Sequence, residues 1–202
     1  MVKLTKIYTR VGDKGETMLG SGAMVEKFSM RVTAYGEVDE ANATIGLAIA
    51  ILHESEHPDR DALATELTII QNDLFDVGAD LCVPIEQGED AGSRLRVTEQ
   101  MVASTEAAID RWNAKLEPLT SFVLPAGTKA SAAIHVARTV MRRAERAVTQ
   151  LLSVEPETTN RQTQIYLNRV SDYLFVVARI ANNSGTNDVL WKPGGERREA
   201  PE

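Results

Sequence analysis

The sequence predicts an all-α protein, a five-helix up-down bundle, on three observations. Apolar residues recur at alternating spacings of three and four in five separate stretches, which is the repeat of an amphipathic helix. Between those stretches nothing alternates apolar and polar residues for long enough to read as a convincing strand ladder. The chain has 202 residues, 43% hydrophobic and 25% charged, which suits one sizeable core and is short for two. Residues 1–185 therefore read as one domain and the polar stretch 186–202 as a flexible tail.

Residues 1–30 hold few helix signals, and Gly12, Gly15, Gly20 and Gly22 break up the segment, so it reads as a loop. The run Gly12-Asp13-Lys14-Gly15 can turn sharply and present consecutive backbone N–H groups to an anion, with Lys14 and Arg10 adding full charges. An ordinary surface turn would have the same sequence. The run does not match the P-loop pattern, and no clear strand precedes it.

The first helix begins at Arg31, buries Val38, Ala41, Ile45, Ala48, Ile49 and Leu52, and is closed by Pro58. Asp39, Asn42 and Gly46 form a separate polar and small stripe. A mid-helix glycine costs about 1 kcal/mol against alanine, so it suggests that something bulky comes close. Asp39 fits a plain surface carboxylate equally well.

Residues 59–81 repeat the pattern through Leu63, Leu67, Ile70, Leu74 and Val77, with Pro84 beyond the end. The acidic, glycine-containing stretch 86–94 lacks apolar anchors and reads as a mobile loop. Thr98 is placed to cap a third helix carrying Met101, Thr105, Ala108, Trp112 and Leu116. Residues 117–128 follow, bracketed by Pro118 and Pro125. Their apolar centre, Phe122, Val123 and Leu124, reads first as a loop pinned to the core and second as a loop turning Phe122 to a ligand.

In the fourth helix, residues 131–152, an apolar stripe runs through Ile134, Ala137, Met141, Ala144, Val148 and Leu151. Arg138, Arg142 and Arg146 step by four along one flank, with Glu145 beside them and Arg143 pointing elsewhere. A solvated basic face is the plain reading of such a run. Yet the chain carries 29 acidic against 22 basic residues, so this concentration of Arg is not inherited from composition. Guanidinium groups suit multidentate contact with carboxylates of other helices or with a phosphate-bearing ligand. The last helix, Arg161 to Asn182, buries Leu167, Val170, Leu174, Val177 and Ala181, with a second stripe of Asn168, Asp172, Phe175 and Arg179.

Several function classes are disfavoured. No apolar run approaches the roughly 20 residues that cross a bilayer, and the first ten residues lack the apolar core of a signal peptide. A single cysteine, Cys82, fits a reducing interior, which points to the cytoplasm. A net charge of -7 argues against a nucleic-acid surface.

Residues 53–57, HESEH, match the zinc-protease pattern H-E-x-x-H. Pro58 disfavours helical geometry at His57 and the only other histidine is the distant His135, so the match reads as accidental. Glu54 and His57 give one half of a ferritin-type di-iron pattern without its second half. Spacing supports no Ser/His/Asp arrangement, dinucleotide fingerprint or redox centre.

Five blocks carry a family resemblance: KIYTRVGDKG at 6–15, AYGEVDE at 34–40, FVLP at 122–125, HVARTVMRRAER at 135–146 and YLNRVSD at 166–172. Together they resemble the PduO-type cob(I)alamin adenosyltransferases over nearly the whole chain. The resemblance implies a ferritin-like five-helix bundle that assembles as a homotrimer with ATP at the subunit interface. It implies an ATP site built from Thr9, Arg10, Val11, Gly12, Asp13, Lys14, Gly15, Thr17, Met18 and Lys27 of one subunit. The neighbour would supply Arg142, Arg143, Ala144, Glu145, Arg146 and Asn168. Asp39 and Arg138 match an ion pair across the interface near the corrin, and Phe122 matches the aromatic at its lower face. Ala126, Ala41, Met18 and Ser21 depart from the common pattern, and none of these changes removes a charged group.

The implied reaction transfers the 5′-deoxyadenosyl group of ATP to the cobalt of reduced cobalamin and releases triphosphate. Mg²⁺ would travel with the ATP rather than sit on dedicated protein ligands. An external flavin-type reductase and an adenosylcobalamin-dependent enzyme are the implied partners. A corrinoid carrier that keeps the binding surfaces without turnover is the alternative, and product formation separates the two.

Overall fold

The structure is a computed structural model and describes residues 7–8 and 10–194. Five α-helices dominate them: α1 (Met30–His53), α2 (Arg60–Cys82), α3 (Glu99–Asn113), α4 (Lys129–Val154) and α5 (Arg161–Ile180). Helix α1 packs against both α2 and α4, α4 against α5, and α3 lies on α5, so α1 and α4 form the centre of the bundle. The core faces are those the periodicity predicts. Val38, Ala41, Ile45, Ala48 and Leu52 of α1 meet Ile134, Ala137, Met141, Ala144, Val148 and Leu151 of α4, all essentially inaccessible.

Four helices start on a side-chain cap that accepts one of the orphan N–H groups of the first turn. Ser29 caps α1, Thr98 α3, Thr128 α4 and Asn160 α5. Thr128 also ties two helices together: its hydroxyl donates to the Ala181 carbonyl, and its backbone N–H donates to Asn182 Oδ1. Helix α1 stops at His53, four residues before His57, whose Nδ1 accepts from the Asp59 N–H. The two histidines of the H-E-x-x-H match therefore do not share a helical face.

Three expectations need correction. The stretch read as an unstructured N-terminal loop contains a short antiparallel hairpin, β1 (Glu16–Met18) and β2 (Met24–Glu26), paired Glu16↔Glu26, Thr17↔Val25 and Met18↔Met24. Strands of three residues are too short to show an alternation. The loop 86–94, read as mobile, is held at Glu89, which accepts two hydrogen bonds from Arg96. Arg96 in turn donates to Asp80, a buried carboxylate that also accepts from the Val97 N–H and Asn160 Nδ2. Finally, the segment after Gly185, read as a flexible tail, folds back on the 117–128 loop. The Leu124 N–H donates to the Val189 carbonyl, and the Trp191 N–H donates to the Phe122 carbonyl. Residues 195–202 of that tail lie outside the described residues.

Candidate functional site

The N-terminal element is built around a 3₁₀ turn, Val11–Lys14, that follows Arg10 in a left-handed conformation at φ 64°. Such a backbone at a non-glycine residue costs on the order of 1–3 kcal/mol and persists where its surroundings hold it. The hairpin supplies that support. Its second strand returns the chain so that the Lys27 N–H donates to the Gly15 carbonyl at 2.8 Å. The Lys27 ammonium then lies 2.9 Å from where a Cβ on Gly12 would stand, so any side chain at position 12 would displace it. Arg10, Asp13, Lys14 and Lys27 are exposed, and Gly12, Gly15 and Thr17 are half-buried. Thr9, expected in the same site, lies outside the described residues.

The hairpin is anchored by its turn. Leu19 is buried, and the Gly20 N–H donates to the Cys82 carbonyl at the end of α2. A Cβ on Gly20 would come within 2.6 Å of Val83 Cγ2, so only glycine allows this approach. The start of α1 is fixed to the same place by Arg31, which is 3% exposed. Its guanidinium donates to the Leu81 carbonyl, to Glu155 and to the Thr158 and Thr159 hydroxyls. In the sequence Arg31 marks a helix start only. A single arginine gives no periodic signal of a buried hub.

On α4 the arginines divide. Arg138 and Arg142 have no carboxylate partner among the described residues; Arg146 donates only to the Arg142 carbonyl. Arg138 contacts neutral His135, with its Nε 3.4 Å from Nδ1. Burial first, and Arg142 second, lower the Arg138 pKa from its ordinary value. Burial and the neighbouring Arg138 charge likewise push His135 down to about 4. Arg143 is different: it pairs within the chain with Glu37 and Glu40 of α1, and these bonds raise its pKa. Its expected role toward ATP is thus shared with a helix-to-helix ion pair.

Glu145 accepts from Asn168 Nδ2 at 2.9 Å, which joins α4 to α5 beside the arginine flank. Ala144, implied in the ATP site, has its side chain fully buried on the core face, as the apolar stripe of α4 predicts. Asp39 is exposed on α1, at a groove of about 510 Å³ between α1 and α2 lined by Tyr35, Gly36, Asn42, Phe75 and Gly78. It does not pair with Arg138 within the chain.

Phe122 is 78% exposed, and its ring meets Trp191 edge-on, with centroids 6.1 Å apart. The reading of this loop as pinned to the core fails, because the tail backbone holds it instead. Trp191 and Asp188, which shape this end of the protein with Arg179, belong to no helical repeat or motif that would single them out, and the stripe that holds Arg179 does not show its partner.

The chain therefore carries two cationic surfaces. Arg10, Lys14 and Lys27 surround the turn at 10–15, and Arg138, Arg142 and Arg146 line α4. Among the described residues no hydrogen bond or ion pair joins one surface to the other.

A sequence model described as cobalamin adenosyltransferase matches residues 7–181. The corrinoid adenosyltransferase of Mycobacterium tuberculosis is 47% identical over 196 residues, covering 97% of each chain. That of Bacillus subtilis is 44% identical over 190 residues, covering 93% of this chain and 92% of the relative. Among solved structures, a phenylalanine-to-alanine variant PduO-type ATP:corrinoid adenosyltransferase from Lactobacillus reuteri, complexed with cobalamin and ATP, superposes with a TM-score of 0.82. It is 37% identical, over 93% of this chain and 100% of that one. An arginine-to-lysine variant of the same kind, complexed with ATP, gives a TM-score of 0.80 at 39% identity, over 93% of this chain and 100% of that one.

Proposed function

The chain belongs to the cobalamin adenosyltransferase family, and on that premise we propose how its own residues carry the reaction. It is an ATP:cob(I)alamin adenosyltransferase, which makes adenosylcobalamin and releases triphosphate. The cobalt electron pair forms a bond to C5′ of ATP as the C5′–O bond breaks, and that bond's pair leaves with the triphosphate. The nucleophile thus belongs to the substrate. The protein has to align two substrates and neutralise a leaving group, a task for cations rather than for a general base.

In this reading the turn at 10–15 and Lys27 hold the triphosphate of ATP, with Thr9, Thr17 and Met18 beside them. Arg142 and Arg146 approach it from another subunit, with Arg143, Glu145 and Asn168 fixing their surroundings. Asp13, exposed among the loop cations, offers the hard oxygen donor that suits a magnesium triphosphate. Mg²⁺ bound to the phosphates would share in neutralising their charge. Asp39 and Arg138 pair between subunits, and Phe122 lies at the lower face of the corrin.

One observation supports the two-subunit assignment: among the described residues neither cationic surface has an acidic partner, and the two are not joined. A closed homotrimer in which the loop of one chain meets α4 of the next, with the triphosphate of ATP between them, gives both surfaces their counter-charge. An external flavin-type reductase supplies the electron that makes cob(I)alamin, and an adenosylcobalamin-dependent enzyme receives the product. No helix among the described residues is long and apolar enough to cross a membrane. The lone cysteine supports work in the cytoplasm.

Mixed trimers test the reading. Chains carrying Lys14→Ala and chains carrying Arg142→Ala, each inactive alone, regain activity when co-assembled, because some interfaces then receive two intact halves. Verified mixed trimers without any recovery would mean that the site lies within one chain. Failure of the wild-type protein to form adenosylcobalamin from ATP and pre-reduced cobalamin would favour the carrier alternative.

A further inference from the structure

Phe122 sits in a loop that the core does not hold. From Leu119 to Leu124 no side chain is buried, and Phe122 is more exposed than Leu119 or Leu124. A ring in that position keeps one orientation only if the backbone beneath it is fixed from elsewhere. The segment after α5 does this. Asn183 and Ser184 take left-handed conformations, at φ 54° and 52°, which reverse the chain at the helix end. Residues 189–191 then run antiparallel to 121–124, with Val123 opposite Leu190. Besides the two backbone bonds at Leu124 and Trp191, Ser121 Oγ donates to the Trp191 carbonyl at 2.9 Å.

What holds this segment in turn is a buried ion pair. Arg179, near the end of α5, donates from Nε to Asp188 Oδ2 at 2.7 Å, and the two side chains are 7% and 5% exposed. The same guanidinium donates from Nη2 to the Glu117 carbonyl at 3.0 Å, where the loop begins. Asp188 Oδ1 accepts from Asn182 Nδ2, whose own Oδ1 accepts from the Thr128 N–H at the other end of the loop. One buried charge therefore fixes the start of the loop and the strand that pairs with its middle. Trp191 adds a ring against the edge of Phe122, at an interplanar angle of 70°.

We propose that Arg179, Asp188 and Trp191 are positioning residues that latch residues 186–191 onto the 117–128 loop and so set the Phe122 ring against the lower face of the corrin. The inference rests on the placement of Phe122 given under Proposed function. A loosened ring leaves room for the lower axial ligand, whose donated electron density makes cob(II)alamin harder to reduce. Attack on ATP by cobalt that is already reduced does not pass through that step.

The test compares Trp191→Ala, Asp188→Asn and Phe122→Ala in the assembled protein with ATP. Adenosylation is timed from cob(II)alamin with a chemical reductant and from pre-reduced cob(I)alamin, alongside the absorption spectrum of bound cob(II)alamin and the thermal midpoint. We expect both latch variants to slow the cob(II)alamin route about tenfold and to leave the cob(I)alamin route within about twofold, as for a ring displaced by a fraction of its width. Bound cob(II)alamin should then retain more of its axially ligated spectrum, with the KM for ATP unchanged. Trp191→Ala removes an exposed ring and no buried charge, so it separates positioning from stability. Wild-type behaviour of Trp191→Ala on both routes, or equal slowing of both routes by the two variants, would overturn the latch. If Phe122→Ala splits the routes and the latch variants do not, only the latch falls. If Phe122→Ala itself produces no split, the placement of Phe122 falls and the latch falls with it.

Discussion

Replacing Phe122 by alanine separates a ligand-facing ring from a packing one, because the two make different demands on stability. A buried Phe→Ala change costs about 3–5 kcal/mol through lost transfer energy and an unfilled cavity. Phe122 is 78% exposed, so only about a fifth of its surface is covered. Scaling the buried value by that fraction gives ~1 kcal/mol or slightly less. Its edge contact with Trp191 adds a few tenths, since aromatic pairs contribute about 0.5–1.5 kcal/mol when desolvated and this one is wet.

For a chain of this length ~1 kcal/mol moves the thermal midpoint by roughly 2–4 °C. The kinetic effect should be far larger and confined to one substrate state. Adenosylation from cob(II)alamin is expected to fall on the order of a hundredfold, the scale of a misplaced reacting group, with the cob(I)alamin rate and ATP affinity nearly kept. Stopped-flow absorbance from each starting state and a calorimetric scan decide it. Equal defects from both states with a midpoint lowered as for a loss of about 3 kcal/mol would refute the reasoning, since that is how a core residue behaves.

Other perturbations test other parts of the protein. Lys14→Ala and Arg142→Ala should each lower turnover about a hundredfold or more, the usual cost of one donor to developing charge, with helical circular dichroism unchanged. Near-normal rates in both would remove the triphosphate site. Arg31→Met leaves the Leu81 carbonyl and the Thr159 hydroxyl without their buried donor and should destabilise the protein by about 1–3 kcal/mol in urea titration, the cost of unsatisfied buried acceptors. It should also raise the KM for ATP more than that for cobalamin, because Arg31 secures the start of α1 beside the hairpin; an unchanged ATP KM would show that the hairpin does not depend on it.

His135 titrates at about 4 when folded, against an ordinary 6.5. Between those values the unfolded chain binds more protons, so the His135 contribution is complete above pH 6.5 and is lost as pH falls toward 4. His135→Gln should flatten the stability profile across that window, and an unchanged slope would remove His135 from the acid response.

By itself the sequence determined the helices, their buried faces and most of the charged residues of the candidate site. Each of these is written in local repeats: the stripe from Ile134 to Leu151 and the four-residue step of Arg138, Arg142 and Arg146 both follow from 3.6 residues per turn. The KIYTRVGDKG and HVARTVMRRAER blocks then pointed to the chemistry through resemblance. What the tertiary structure decided depends on partners far away in the chain. The hairpin exists because Gly20 reaches the Cys82 carbonyl, sixty-two positions on, and three-residue strands have no repeat to detect. The repeat shows that Arg143 leaves α4 in a different direction from Arg142, but only the packing shows that it meets Glu37 and Glu40 on the neighbouring helix. Phe122 is exposed because its loop exchanges backbone hydrogen bonds with residues 189–191 instead of burying its apolar centre. Periodicity records which way a side chain leaves its own helix, whereas the partner it meets depends on how the helices and loops pack around it.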